Sequence, residues 1–424
     1  MAIGQGAPAL APAVPLRERM LLGVLFVTML LSSIAVIEPS PHDAMMGVLA
    51  IACVTAGVRL DRRVLVLVLL LLIWNLGGLM SLLNVPDQEK PIQYTATSVY
   101  LALAAILFAG LFTDNVMPRL ARMRAAYIAS AVFTALAGIV GYFHMIPGAF
   151  GEFEVNGRAL GTFKDPNVFG PFLIWPALFL MMRMLLRGVK VRDLVLLAII
   201  LTGLLLSFSR GAWINFAIAG AVNLSLAILI APNPSARLRI IVISMVSLGA
   251  LAAFIGVLMS FQAVRDMYAV RAQALQYYDV GEGGRFRLQE LALGALLNYP
   301  NGMGPFEFAR VYGLQQHNVY LQAFMVYGWF GGVGYLMLLL ATFVAALRSV
   351  FITTPWQPYL ITATAAFSGN VFEGAVIDTD HWRHFFLLLG MIWGLSAASL
   401  KLAQTRRMPP VAAGMPALPP AARA

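Results

Sequence analysis

Four stretches of this chain hold side chains suited to chemistry, and each interrupts otherwise apolar sequence. The first is Ser207-Phe-Ser-Arg210-Gly-Ala-Trp213, where five residues or fewer separate two apolar runs. A guanidinium pinned there either snorkels from a helix end or offers its fork of donors to an anionic headgroup or diphosphate. The second is Arg158-Ala-Leu-Gly-Thr-Phe-Lys164-Asp-Pro-Asn167-Val-Phe-Gly170. Asp165 and Pro166 read as a helix cap and first helical residue. Arg158, Lys164 and Asn167 are then candidates to meet an anion drawn to that helix N-terminus.

The third stretch opens on His317-Asn318 and continues through Gly328 and Gly331. An imidazole there is a candidate general base, a cationic ligand or a structural hydrogen-bond partner, with Asn318 as its positioning neighbour. Gly328, Gly331, Gly332 and Gly334 read as a face that lets one helix approach others closely. The fourth stretch holds Glu373, Asp378, Asp380, His381, Arg383 and His384. Two carboxylates and two histidines suit a divalent metal, or they are solvated charges or hydrogen-bonded supports of a site. We expect Asp378, Asp380, His381 and Arg383 to serve substrate binding, the first three as supports of the site rather than ligands of a metal, with no cofactor.

The elements that must carry these residues are membrane helices. The chain is 60% hydrophobic and only 11% charged, against about 25% charged in soluble domains. Apolar runs near the length of a bilayer crossing recur at 20–37, 44–58, 64–83, 94–112, 125–144, 168–186, 193–208, 211–230, 239–260, 319–346, 354–373 and 384–401. The expected fold is therefore all-α and integral to the membrane, with about twelve transmembrane helices over 17–407. Residues 1–16 and 408–424, rich in Ala and Pro, read as disordered tails. The lone Cys53 allows no intrachain disulfide. Neither a phosphate-cradling loop nor a dinucleotide glycine pattern is present. The basic residues are scattered without aromatic interleaving, so the net charge of +10 argues for no nucleic acid but for basic cytoplasmic loops.

That rule can be applied loop by loop. With the N-terminus inside, the inner segments hold 19 of the 29 basic residues and four of the 19 acidic ones. Both termini are then cytoplasmic, and the four stretches above share the outer face. A long outer loop, 261–316, separates spans nine and ten. Residues 262–278 and 285–297 within it read as short helices. The second, with Phe286, Leu291, Leu293 and Leu297 beside Arg285 and Arg287, reads as lying near the membrane surface.

Four pieces in this order give a resemblance. They are Gly161-Thr-Phe-Lys-Asp-Pro-Asn-Val-Phe-Gly170, Ser207-Phe-Ser-Arg210-Gly-Ala-Trp213, Gly284-Arg285-Phe with Tyr299-Pro-Asn-Gly-Met-Gly304, and His317-Asn318 followed by Gly328-x-x-Gly331. Together they resemble the O-antigen ligase and O-antigen polymerase superfamily of bacterial envelopes, over about 150–345 by motif. The resemblance implies a C-type membrane glycosyltransferase fold in the inner membrane with a periplasmic active site. The implied donor is a glycan on undecaprenyl diphosphate, and the implied acceptor a sugar hydroxyl of lipid A–core or a growing polysaccharide, less readily of a protein. Catalysis would fall to His317, Arg210 and Arg285. A transporter or flippase for such lipid-linked sugars is the alternative. It is disfavoured because the ionisable residues collect at one face rather than at the bilayer midplane.

Overall fold

The computed structural model describes residues 15–147, 150–273, 276–281 and 283–407. Of the expected tails, 1–16 and 408–424, residues 1–14 and 408–424 lie outside the described residues, while Leu16 already opens the first helix. Helices stand at every apolar run: α1 Leu16–Leu30, α2 Pro41–Thr55, α3 Leu65–Ser81, α4 Glu89–Leu111 and α5 Val116–Tyr142. After the one-turn α6, Phe150–Phe153, comes a hairpin of Glu154–Val155 and Arg158–Ala159. Then follow α7 Pro166–Phe172, α8 Ile174–Arg187, α9 Val191–Leu206, α10 Arg210–Leu229 and α11 Pro234–Leu258. The outer loop contributes α12 Gln262–Arg271, α13 Tyr277–Val280, α14 Arg285–Ala295 and α15 Glu307–Tyr312. The chain returns through α16 Val319–Val350, α17 Gln357–Glu373 and α18 Arg383–Arg407.

Among the described residues, eight helical stretches are long and apolar enough to cross a membrane, with α7 and α8 forming one of them. The helices α1, α2, α9 and α17 have 15 to 17 residues each, at the short end of what a crossing needs. The protein is an all-α membrane protein.

Side-chain bonds tie the helix ends into two groups. At one end Arg119 grips Glu18 at 2.9 Å, both buried, and Lys401 meets Asp114 at 2.6 Å. Arg63 reaches Gln404, Arg183 pairs with Asp193, and Arg406 donates to the Thr353 carbonyl. At the other end Arg383 holds Asp43, Tyr94 holds Asp380, Lys164 meets Glu38 and Asn84 donates to the Gly302 carbonyl. The first group joins only segments that the charge rule puts inside, and the second only segments that it puts outside.

The glycines of α16 do two different things. Gly331 and Gly334 lie against the backbone of α3 around Trp74 and Gly77, where a Cβ would come within 3.4 Å of main-chain atoms. That is the close packing the sequence indicated. Gly328 instead breaks the helix, with φ 68° and ψ −177°. The gap is filled by the 300–304 segment: Trp329 N–H donates to the Pro300 carbonyl at 2.8 Å, and Met303 N–H to the Met325 carbonyl at 2.6 Å. Broken backbone at membrane depth is tolerated where protein satisfies it in this way. The helix α11 is the opposite case, with only Ile240 and Leu258 buried, so its surface is left to lipid.

Candidate active site

The segment before α10 sets the first half of the site. Phe208 takes φ 46°, a left-handed conformation costly for a bulky residue, and is held there by burial between Tyr142 and Trp213. Ser209 then caps α10 by accepting from Ala212 N–H, which fixes Arg210 as the first helical residue. Its guanidinium donates to the Gln273 carbonyl (2.8 Å), the Tyr278 hydroxyl (2.7 Å) and Asp279 Oδ2 (2.6 Å).

Arg285 approaches the same carboxylate from α14, 3.6 Å from Asp279 Oδ1. Gly284 makes this possible, because any Cβ there would lie 2.8–2.9 Å from the Gly281 and Asp279 carbonyls. Both guanidiniums also sit over the Tyr278 ring, at 5.4 and 5.7 Å. A second pair of arginines stands beside the first. Arg158 donates to the Ser207 carbonyl (2.9 Å) and to Asn167 Oδ1 (2.7 Å). Burial pushes its guanidinium down to about 10, and the nearby Arg271 cation adds to this. Among the described residues, the Nε atoms of Arg271 and Arg285 are buried without a hydrogen-bond partner. Buried donors left unmade are costly, so these two open donors suit an anion beyond the Asp279 carboxylate that Arg210 and Arg285 already share.

The second half surrounds a cavity of about 380 Å³ lined by Tyr94, Lys164, Asp165, Asp378, Asp380, His381 and Arg383 among others. Its floor is a hydrogen-bonded chain. Gln322 donates to the Tyr94 hydroxyl at 2.9 Å, which donates to Asp380 at 2.5 Å. His381 Nδ1 lies 3.2 Å from Asp380, and its Nε2 lies 3.1 Å from the Tyr94 carbonyl and so donates to it. Burial alone would push the His381 imidazole down, but Asp380 outweighs it and holds it above the ordinary value of 6.5. Burial would likewise raise Asp380, but His381 and Tyr94 hold it below the usual carboxylate range. Asp378 goes the other way, raised by burial against the pull of His317.

His317 stands at the rim, half-exposed, with Nδ1 3.4 Å from Asp378 Oδ2. Its φ of 47° is left-handed, and such strain gathers at functional sites. Asn318 caps α16, accepting from Tyr320 and Leu321 N–H, and donates to the Ala375 carbonyl. The two halves meet through α14. Gln289, one turn after Arg285, donates to the His317 carbonyl at 3.3 Å and to the Ala375 carbonyl at 3.4 Å.

The structure thus gathers Arg210, Arg285, Arg158 and Asn167 in one half, and Lys164, Asp378, Asp380, His381 and Arg383 in the other, with His317 and Asn318 between them. Two are already engaged elsewhere: Lys164 with Glu38 in an exposed pair, and Arg383 bidentately with Asp43 at 2.7–2.8 Å. Sequence reading missed Tyr94, Arg271, Tyr278 and Asp279. Only Arg271 carried a signal, as a basic residue on the face where basic residues are scarce. Among the described residues no group of three or more His, Cys, Asp or Glu is placed to hold a metal ion.

Comparison with known proteins bears on the first half and on His317. No curated protein matches the chain. Residues 195–336 match the family model described as O-antigen ligase. Arg210, Arg271, Arg285 and His317 fall within the match, while Arg158–Gly170 and Asp378–Arg383 fall outside it. The match supports a membrane glycosyltransferase-like role in general. Over residues 195–336 the chain therefore matches the superfamily that its motifs resemble.

Proposed function

We propose that the chain transfers a glycan from undecaprenyl diphosphate to a sugar hydroxyl of lipid A–core or of a growing polysaccharide, at the periplasmic face of the inner membrane. The observation that carries this reading is the arginine quartet, held by α14 next to the His317–Asp378 pair. The acceptor O–H attacks the anomeric carbon as the bond from that carbon to the diphosphate oxygen breaks. The configuration inverts and undecaprenyl diphosphate leaves. The charge growing on the diphosphate is met by Arg210 and Arg285, preorganised donors of the kind that stabilises transition states most. Arg158 and Arg271 take the second phosphate. The departing diphosphate takes over hydrogen bonds that Asp279 now accepts.

The acceptor proton goes to His317. With Nδ1–H directed to Asp378, the other ring nitrogen carries the lone pair, the tautomer a general base needs. The leaving group is already good, so no step is routed through a metal. The twelve-crossing topology with both termini cytoplasmic belongs to the same reading, supported by the two groups of end contacts.

Deletion of the gene followed by gel analysis of lipopolysaccharide tests the function. Loss of a ligase leaves bare lipid A–core, whereas loss of a polymerase leaves core bearing a single repeat. Unchanged lipopolysaccharide and secreted polysaccharide would remove the proposal.

A further inference from the structure

The outer loop holds a second concavity that the reaction above does not use. It measures about 440 Å³ and is lined by Asn84, Asn298, Tyr299, Asn301, Glu307 and Arg310, among others. It lies across the 299–311 segment from the central cavity: Phe306 lines the one and Glu307 the other. Its wall is preformed. Gly302, at φ 76°, closes against the break in α16. The carbonyl of Gly302 accepts from Asn84 at 2.9 Å, and Met303 and Trp329 N–H lock the segment to α16.

The lining is distinctive in what it offers. The carboxamides of Asn298 and Asn301 make no hydrogen bond among the described residues, and both residues are exposed. A carboxamide presents a donor and an acceptor side by side, which matches a pair of neighbouring sugar hydroxyls. The Tyr299 ring, 37% exposed, offers an apolar platform for the C–H face of a pyranose. The only two charges in the lining, Glu307 and Arg310, satisfy each other at 2.6 Å. The concavity is therefore neutral, unlike the arginine quartet, and suits hydroxyls rather than phosphate.

We propose that this concavity is a neutral-glycan subsite, binding sugar units of a chain whose reacting end lies in the central cavity. The proposal rests on the glycosyl-transfer reading for its substrate class. The bound units belong either to the donor chain or to the acceptor, and both are neutral saccharides. The test is direct binding to the purified full-length protein in detergent, by saturation-transfer NMR and calorimetry. The probes are repeat-unit oligosaccharides of one and three repeats, and core oligosaccharide, from the strain that carries the chain, each freed of lipid and phosphate.

One class should bind the wild type, and which one identifies the source. Asn298→Ala with Asn301→Ala should weaken that binding at least tenfold, as should Tyr299→Ala alone, while Arg210→Ala leaves it unchanged. Melting temperature checks that each variant folds, and Asn298→Asp, which swaps a donor for an acceptor without changing shape, should also weaken binding. Absence of wild-type binding to all probes, or equal binding by the folded variants, overturns the subsite. The outcome is separable from the reading it rests on. Binding without any transferase activity removes the transferase and keeps the subsite, and transfer with unaltered binding does the reverse.

Discussion

At the scale of single residues, the arginine quartet makes the sharpest demand. Arg210 uses three of its donors on Gln273, Tyr278 and Asp279, and a lysine cannot reproduce that fork. Arg210→Ala should lower transfer about 10²–10³-fold, the usual cost of one transition-state donor. Arg210→Lys should recover little of it in a reconstituted assay. Arg271→Ala should raise the donor KM by about 10- to 100-fold, the worth of a charged hydrogen bond, and leave the acceptor KM in place. A rise in both constants alike would mark Arg271 as structural.

The His381–Asp380 pair makes a pH prediction. His381 is raised in the folded protein, so its contribution is full below 6.5 and is lost as pH climbs through the raised value. Asp380 is lowered, so its contribution is present above its ordinary 3.8 and fails as pH falls through the depressed value. The melting temperature of wild type should therefore exceed that of His381→Gln most between those limits, and the gap should close toward alkaline pH. A constant gap up to pH 9 would contradict the pairing. Arg210, Arg285 and His317 were identifiable as candidates in sequence because their motifs are local. Asp279 was not, because its partners lie 69 residues back at Arg210 and on the far side of Gly284. Arg383 read as a free substrate contact because Asp43, 340 residues away, gave no sign that it would occupy the guanidinium.

At the scale of elements, hydropathy and run length placed a helix at each of the twelve apolar runs, eight of them, among the described residues, long enough to cross a membrane. The short helices expected at 262–278 and 285–297 stand at Gln262–Arg271 and Arg285–Ala295. The exposed Phe286 and Leu293 and the buried Leu288, Ala292 and Ala295 give α14 one face for the protein and one apolar face turned outward, the pattern of a surface-lying helix. The break at Gly328 was invisible, since a glycine in an apolar run looks the same whether it packs or turns. Its conformation belongs to a region open essentially to glycine alone, and a Cβ would sit 2.7–2.8 Å from Asn301 and Pro300 backbone atoms. Gly328→Ala should destabilise the protein by about 3 kcal/mol or more, read as a drop in melting temperature in detergent. Gly23→Ala, where nothing lies within 4 Å, is the neutral control.

At the scale of the whole molecule, charge asymmetry and end contacts both support the proposed topology. Alkaline phosphatase fused after Gln273 should be active, and fused after Thr113 or Arg407 inactive. Activity after Arg407 would reverse the orientation and place the cavity on the cytoplasmic side. The cavity itself was not legible, because its lining comes from α4, the 163–172 segment, α16 and the 378–384 turn, which only packing brings together.

The repair of the α16 break reaches beyond geometry. The amides of Trp329, Met303 and Gly304 bond across the gap, so residues 300–304 and the first third of α16 can open only together. Cooperative units of this kind exchange their amide hydrogens as one. In deuterated buffer this stretch of surface loop should exchange as slowly as the membrane core, while α12, ten residues long on the same loop, exchanges early. The neutral concavity and the helix that carries His317 at its head are then one thermal body, and a glycan held in the first would slow exchange at the second.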